Sequence, residues 1–168
     1  SVTDNNNCVQ TALETILEPA AVPVSISSAT TTVCSGGSLN MQANGALTYN
    51  WSPPVWLSSI TNTNVISTPS TSIDYVLTGT DINGCFNTDT ISIFVAQSLM
   101  ITNSPTSPEV CEGESVIINL SGASTYSWFP ANGLNNPNAS NVIASPQNTT
   151  NYMVIGTDNF GCFDTIYV

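Results

Sequence analysis

Five cysteines and eleven Asp or Glu residues carry nearly all the reactive chemistry of this 168-residue chain, which has no Lys, Arg or His. Thiols can cross-link, attack or bind metal. Carboxylates can transfer protons or hold calcium. Most of these options fail on residue types alone. Without His or Lys there is no ordinary base near neutral pH and no catalytic triad. The spacing C-x-x-C is absent, so redox-dithiol chemistry has no motif. Zinc would need ligands that the chain lacks. A pair of carboxylates could serve glycoside hydrolysis. The acids, however, recur at equivalent turns or cluster as Glu109, Glu112 and Glu114 on one expected loop, which reads as solvated charge. No phosphate-binding glycine loop is present. The reading is no enzyme, no cofactor and no metal site, with the cysteines as cross-links.

The cysteines are placed by a repeat. A shift of 77 superimposes the landmarks without a gap. Cys34 falls on Cys111, Tyr49 on Tyr126, Trp51 on Trp128 and Pro53 on Pro130. Asn64-Val65-Ile66 falls on Asn141-Val142-Ile143, Tyr75 on Tyr152, and Gly84-Cys85-Phe86 on Gly161-Cys162-Phe163. One further shift places Thr3-Asp4 on Thr80-Asp81 and Cys8 on Cys85. Three segments follow: 1–19 as the C-terminal hairpin of an incomplete upstream repeat, 20–96 as one repeat and 97–168 as the next. Cys34 to Cys85 and Cys111 to Cys162 have equal separations, so one internal disulfide per repeat is expected. Cys8 would then pair with an upstream cysteine that this sequence does not contain. Ser1 opens into polar sequence without a basic region, so the chain reads as a mature piece or part of something longer.

The elements that must hold these residues are strands. Leu39, Met41 and Ala43 alternate with polar residues, as do Val116, Ile118 and Leu120. A second strand carries Leu47, Tyr49 and Trp51, matched by Tyr126 and Trp128. A third carries Ile73, Tyr75 and Leu77, and a fourth Ile91, Ile93 and Val95. The first strand of each repeat is expected over Val22–Ser28 and Leu99–Asn103, and a short Asn-Val-Ile strand precedes the third. Period-two alternation in short runs reads as an antiparallel β-sandwich. The repeated Tyr and Trp supply core bulk. Residues 1–19 expose strand edges and should be ordered only where something supplies the missing sheet.

TDINGC at 80–85, TDNFGC at 157–162 and TDNNNC at 3–8 then become hairpin connections. Asp at the start can accept backbone N–H groups two residues on. Gly84, Gly161 or Asn7 supplies the left-handed residue before the next strand. One Asp with backbone carbonyls is a poor calcium cage. Trp56 has Gly133 at its corresponding place and lies in a Pro-rich loop, which makes it the candidate ligand contact.

The order C-x-G-x-S, G-A-x-T-Y-x-W-x-P, N-V-I and G-T-D-x-x-G-C-F resembles the Ig-like/PKD-like tandem repeats of Bacteroidetes cell-surface adhesins. These include gliding-motility-associated cargo of type IX secretion. The Gly-Asp-Gly turn of PKD domains proper is absent. The resemblance implies an all-β fold of tandem Ig-like antiparallel sandwiches, each with one internal disulfide, exported to the cell surface. It also implies O-glycosylation at Asp-Thr-Ile, which makes Thr90 and Thr165 candidate sites. A net charge of −11 makes nucleic acid and anionic membranes unsuitable partners, and no apolar run is long enough to insert in a bilayer. The expected role is a stalk or adhesive segment whose partners are neighbouring repeats, neighbouring subunits or surface glycans. A self-assembling filament or sheath subunit and a carbohydrate-binding module of a secreted enzyme are the alternatives.

Overall fold

The computed structural model describes every residue except 16, 17 and 19, so the far end of the expected upstream hairpin lies outside the described residues. The described residues contain strands and turns, with no helix long and apolar enough to cross a membrane. At the N-terminus, β1 (Val2–Thr3) pairs with β2 (Val9–Gln10), and every residue of the pair is exposed.

Two sandwiches follow. In the first, β3 (Ser25–Ser28), β5 (Leu39–Asn44) and β7 (Asn64–Ser67) form an antiparallel sheet in the order β3-β5-β7. The facing sheet has the order β4-β9-β8-β6, from β4 (Thr32–Cys34), β6 (Thr48–Ser52), β8 (Ile73–Thr80) and β9 (Phe86–Ala96). In the second sandwich, β10 (Thr102–Ser104), β11 (Val116–Ser121) and β13 (Asn141–Ala144) face β12 (Thr125–Phe129), β14 (Met153–Thr157) and β15 (Phe163–Tyr167).

Alternation does what period two demands. In β5, Leu39, Met41 and Ala43 are buried while Asn40 and Gln42 are exposed. In β7 and β13 the Asn-Val-Ile run buries Val65 and Val142 and exposes the Ile. At the centre of each core lies a tryptophan, Trp51 or Trp128, each only 1% exposed. Each indole N–H donates to a carbonyl eleven residues on, Asn62 at 3.0 Å and Ala139 at 3.1 Å. Burial would otherwise leave that polar group unpaired. Tyr75 and Tyr152 bury their rings and send the hydroxyl to a loop carbonyl twenty residues back, Val55 at 2.9 Å and Asn132 at 2.7 Å. The Tyr75 hydroxyl also meets buried Ser67, a position that is Ala144 in the second sandwich.

Three expectations need correction. Leu47 is 65% exposed rather than inward, because β6 starts only at Thr48 and Leu47 belongs to the turn that follows left-handed Gly45. The first strands are shorter or shifted, beginning at Ser25 and Thr102. And β4, too short to show a period, runs parallel to β9, with Cys34 opposite Ala96.

Truncating Trp128 to Ala should cost about 3–5 kcal/mol in urea unfolding. Leu47→Ala, on the surface, should stay within about 0.5 kcal/mol. Burial raises the Tyr75 and Tyr152 hydroxyls above the ordinary tyrosine value, against the opposing hydrogen bonds from Ser67 and Thr150. The unfolded chain therefore gives up these protons first. Stability should be level up to the ordinary tyrosine range, about pH 10, and fall as pH rises beyond it. Tyr75→Phe should reduce that alkaline loss.

Candidate functional site at the junction of the sandwiches

The three Asp-to-Cys turns share one geometry. In each, the Asp Oδ1 accepts two backbone N–H groups. Asp81 takes those of Asn83 (2.8 Å) and Cys85 (2.9 Å). Asp158 takes those of Phe160 (2.8 Å) and Cys162 (2.9 Å). Asp4 takes those of Asn6 and Cys8, both at 2.9 Å. The Asp N–H of each then donates to the cysteine carbonyl, closing the hairpin. Gly84 (φ 82°), Gly161 (φ 83°) and Asn7 (φ 59°) hold the left-handed position, as the sequence requires.

What these hairpins do differs from the expectation. Cys34 is bonded to Cys162, not to Cys85, with Cα atoms 5.6 Å apart. Cys8, Cys85 and Cys111 are free. The expected pairs Cys34–Cys85 and Cys111–Cys162 are thus overturned, and with them the internal disulfide of each sandwich. The reason lies in β9. Cys85 precedes its first residue, whereas Cys34 lies opposite Ala96 at its last. Eleven extended residues put these ends roughly 35 Å apart. A disulfide needs Cα atoms within about 7 Å. The hairpin cysteine of the second sandwich reaches Cys34 instead.

The same junction holds an aromatic contact. Phe94, opposite Thr32 on the neighbouring β4, meets Phe160 at the hairpin tip with ring centroids 5.2 Å apart. Both rings remain partly exposed. The sulfur bond and the ring pair together seat the β14–β15 hairpin on the end of the first sandwich.

The Asp-Thr-Ile motifs have a structural use. Asp89 Oδ2 accepts the N–H of Ile26 at 2.8 Å, and Asp164 Oδ2 that of Ile101 at 3.0 Å. Each Oδ1 accepts the N–H of the following threonine at 2.8 Å. The acids clamp the first strand of each sandwich to the last. Thr90 and Thr165 are exposed beside them.

Trp56 has φ 58°, and Gly133 at the matching place has φ 79°. A positive φ is ordinary for glycine and costly for a bulky residue. Trp56 is 38% exposed, flanked by exposed Val55 and followed by exposed Ile60. In the second sandwich a groove of about 570 Å³ opens between Val110, Val116, Ile118, Tyr152 and Val168. In the first, Val33, at the place of Val110, is buried in the core. Among the described residues no group of three or more Cys, Asp or Glu is placed to hold a metal ion.

No protein-family model matches the chain, and no curated protein matches it. Among solved structures it is similar to murine CEACAM1b, at 13% identity over 86% of this chain and 97% of that one, with a TM-score of 0.40. It is also similar to an amphioxus IgVJ-C2 molecule, at 16% identity over 82% and 97%, TM-score 0.38. A third is the complex of a mouse coronavirus receptor-binding domain with its murine receptor, at 12% identity over 86% and 97%, TM-score 0.45. At these levels the likeness carries no assignment of partner or activity. The architecture itself is an all-β, Ig-like sandwich.

Non-reducing peptide mapping should recover Cys34 joined to Cys162. Cys34→Ser should leave both cores folded by near-ultraviolet circular dichroism while widening the distribution of distances between spin labels on the two sandwiches.

Proposed function

We propose that this chain is a non-enzymatic, repetitive segment of an extracellular surface protein, a stalk or adhesive part of a large adhesin. Residues 20–96 and 97–168 are two of its repeats, and 1–19 is the closing hairpin of another. The observation that carries this reading is the junction: the Cys34–Cys162 bond and the Phe94–Phe160 contact restrain one sandwich against the next. Restraint between modules is what a load-bearing rod needs, and a free two-domain binder does not. The longest strand of the first unit, β9, spans roughly 35 Å and sets the reach that unit adds. The uncompensated charge of −11 keeps parallel rods apart at low salt. The sequence resemblance to Bacteroidetes surface repeats supports export by type IX secretion, and the exposed hydroxyls of Thr90 and Thr165 suit O-glycosylation there.

A second reading rests on Trp56. A bulky residue held at positive φ is costly, and such strain concentrates at functional positions. Val55, Trp56 and Ile60 are exposed apolar residues of one loop, a composition that suits a sugar face or a partner protein.

Small-angle scattering should give an elongated particle whose maximum dimension is unchanged between low and physiological salt. Reduction should blur that dimension without unfolding either core. A compact particle, or one insensitive to reduction, would count against the rod. Retention on a glycan array that is lost in Trp56→Gly would favour the second reading.

A further inference from the structure

The Cys34–Cys162 bond spans 128 residues and closes a loop that contains every strand from β5 to β14. Three strands of the sandwiches stay outside that loop: β3 and β4, which lead to Cys34, and β15, which leaves Cys162. Each of the three is an edge strand of its sheet. β4 runs parallel to β9 and ends on the bonded cysteine, whereas β15 begins next to its partner and runs away from the junction. The chain on both sides is already drawn out. Ile26 lies beside Asp89 and Thr32 beside Phe94, so six residues of the β3–β4 segment advance past five of β9. All five residues of β15 pair with β14 in an unbroken register.

We propose that this bond is a tension shunt: a pull applied across it passes along β3 and β4, through the two sulfurs and along β15, and leaves both cores unloaded. This rests on the rod reading and supplies the path of its load. Without the bond, the same pull has to run through every strand from β5 to β14, and the two cores would unfold in series. With it, the load follows a covalent line along sheet edges, and each sandwich hangs on that line. The carboxylate clamps stand where the line is fastened to the cores. Asp89, inside the loop, holds the N–H of Ile26 on the line at 2.8 Å. Asp164, on the line, holds the N–H of Ile101 inside the loop at 3.0 Å. Both keep the line seated without lying in its path.

Lengths separate the two cases. A strand rises about 3.3 Å per residue, and a fully drawn chain at most about 3.6 Å, so the line has little left to give. Residues 1–21, ahead of the line, supply at most roughly 70 Å at about 3.4 Å each. The closed loop hides 128 residues, roughly 430 Å of drawn chain at the same rise.

The test is a force clamp on the oxidised 168-residue chain, held by handles joined enzymatically to its two ends, at the lowest force that unfolds the Cys34→Ser variant. The expected result is that the native chain lengthens by no more than residues 1–21 supply and then holds. A dithiol reductant added at that force, which returns the bond to two thiols and leaves as a cyclic disulfide, should release a further elongation of hundreds of ångströms. Cys34→Ser should show that elongation without reductant. Two outcomes overturn the shunt while the bond is intact in a disulfide map of the same preparation. One is an oxidised chain that lengthens well beyond what residues 1–21 supply, because the line is then slack. The other is a chain that keeps its length after reduction, because the cores and not the bond then carry the load; the rod reading survives that result. A map without Cys34–Cys162 overturns the rod reading as well.

Discussion

The relation between the two sandwiches depends on one covalent contact, the bond from the end of β4 to the tip of the β14–β15 hairpin. Its consequences differ from those of a staple inside one core. A bond across 128 residues constrains the unfolded chain as a whole, contributing about 5 kcal/mol in the chain-entropy picture. That constraint is shared, so neither core can rely on it alone. Each must be stable through its own buried tryptophan, its tyrosine anchor and its sheet hydrogen bonds. What the bond specifies is orientation. It holds the tip of one sandwich on the end of the other, where Phe94 and Phe160 already touch.

A chain without basic side chains must satisfy its acids differently from most proteins. No carboxylate can find a Lys or Arg. Asp4, Asp81 and Asp158 instead collect backbone N–H groups within their own turns. Asp89 and Asp164 collect them from the next residue and from the first strand of the sandwich. Hydrogen bonds to an ionised acceptor are stronger than neutral ones. The acids thereby close hairpins and tie first strand to last without any counter-charge. Their placement at junction and edge, rather than in the core, also avoids burying a bare charge.

Much of this was legible because it is local. An Asp followed by Gly-Cys signals a capped turn through chemistry confined to six residues. Alternation in Leu39–Ala43 and Val116–Leu120 signals a half-buried strand through its own period. The repeated Trp51 and Trp128 signal a core because bulk recurring at one place needs a cavity that recurs with it. The cysteine pairing was not legible, because it is a relation between repeats. Equal separations within each repeat are equally consistent with a bond inside a repeat or one shifted to the next. Only the direction of β9, which carries Cys85 away from Cys34, decides between them. The parallel strand β4 was hidden for a different reason: three residues are too few to display a period.

The difference between Trp56 and Gly133 shows what the repeat does not impose. Both occupy a left-handed position whose backbone carbonyl accepts an N–H from the following strand region, Thr68 in one case and Ser145 in the other. The backbone job is therefore the same and glycine does it at lower cost. A Cβ added at Gly133 would stand 3.0 Å from both the Pro146 Cα and the Tyr152 hydroxyl oxygen, so the second sandwich favours glycine on packing as well. The first sandwich tolerates the larger residue at the same turn. Its side chain is only partly buried, so core packing explains only part of its presence. A strained, partly exposed indole at one repeat and not the other is a local departure from a pattern that otherwise holds position by position. In a rod made of near-identical units, such departures are where one unit can acquire a contact that its neighbour lacks.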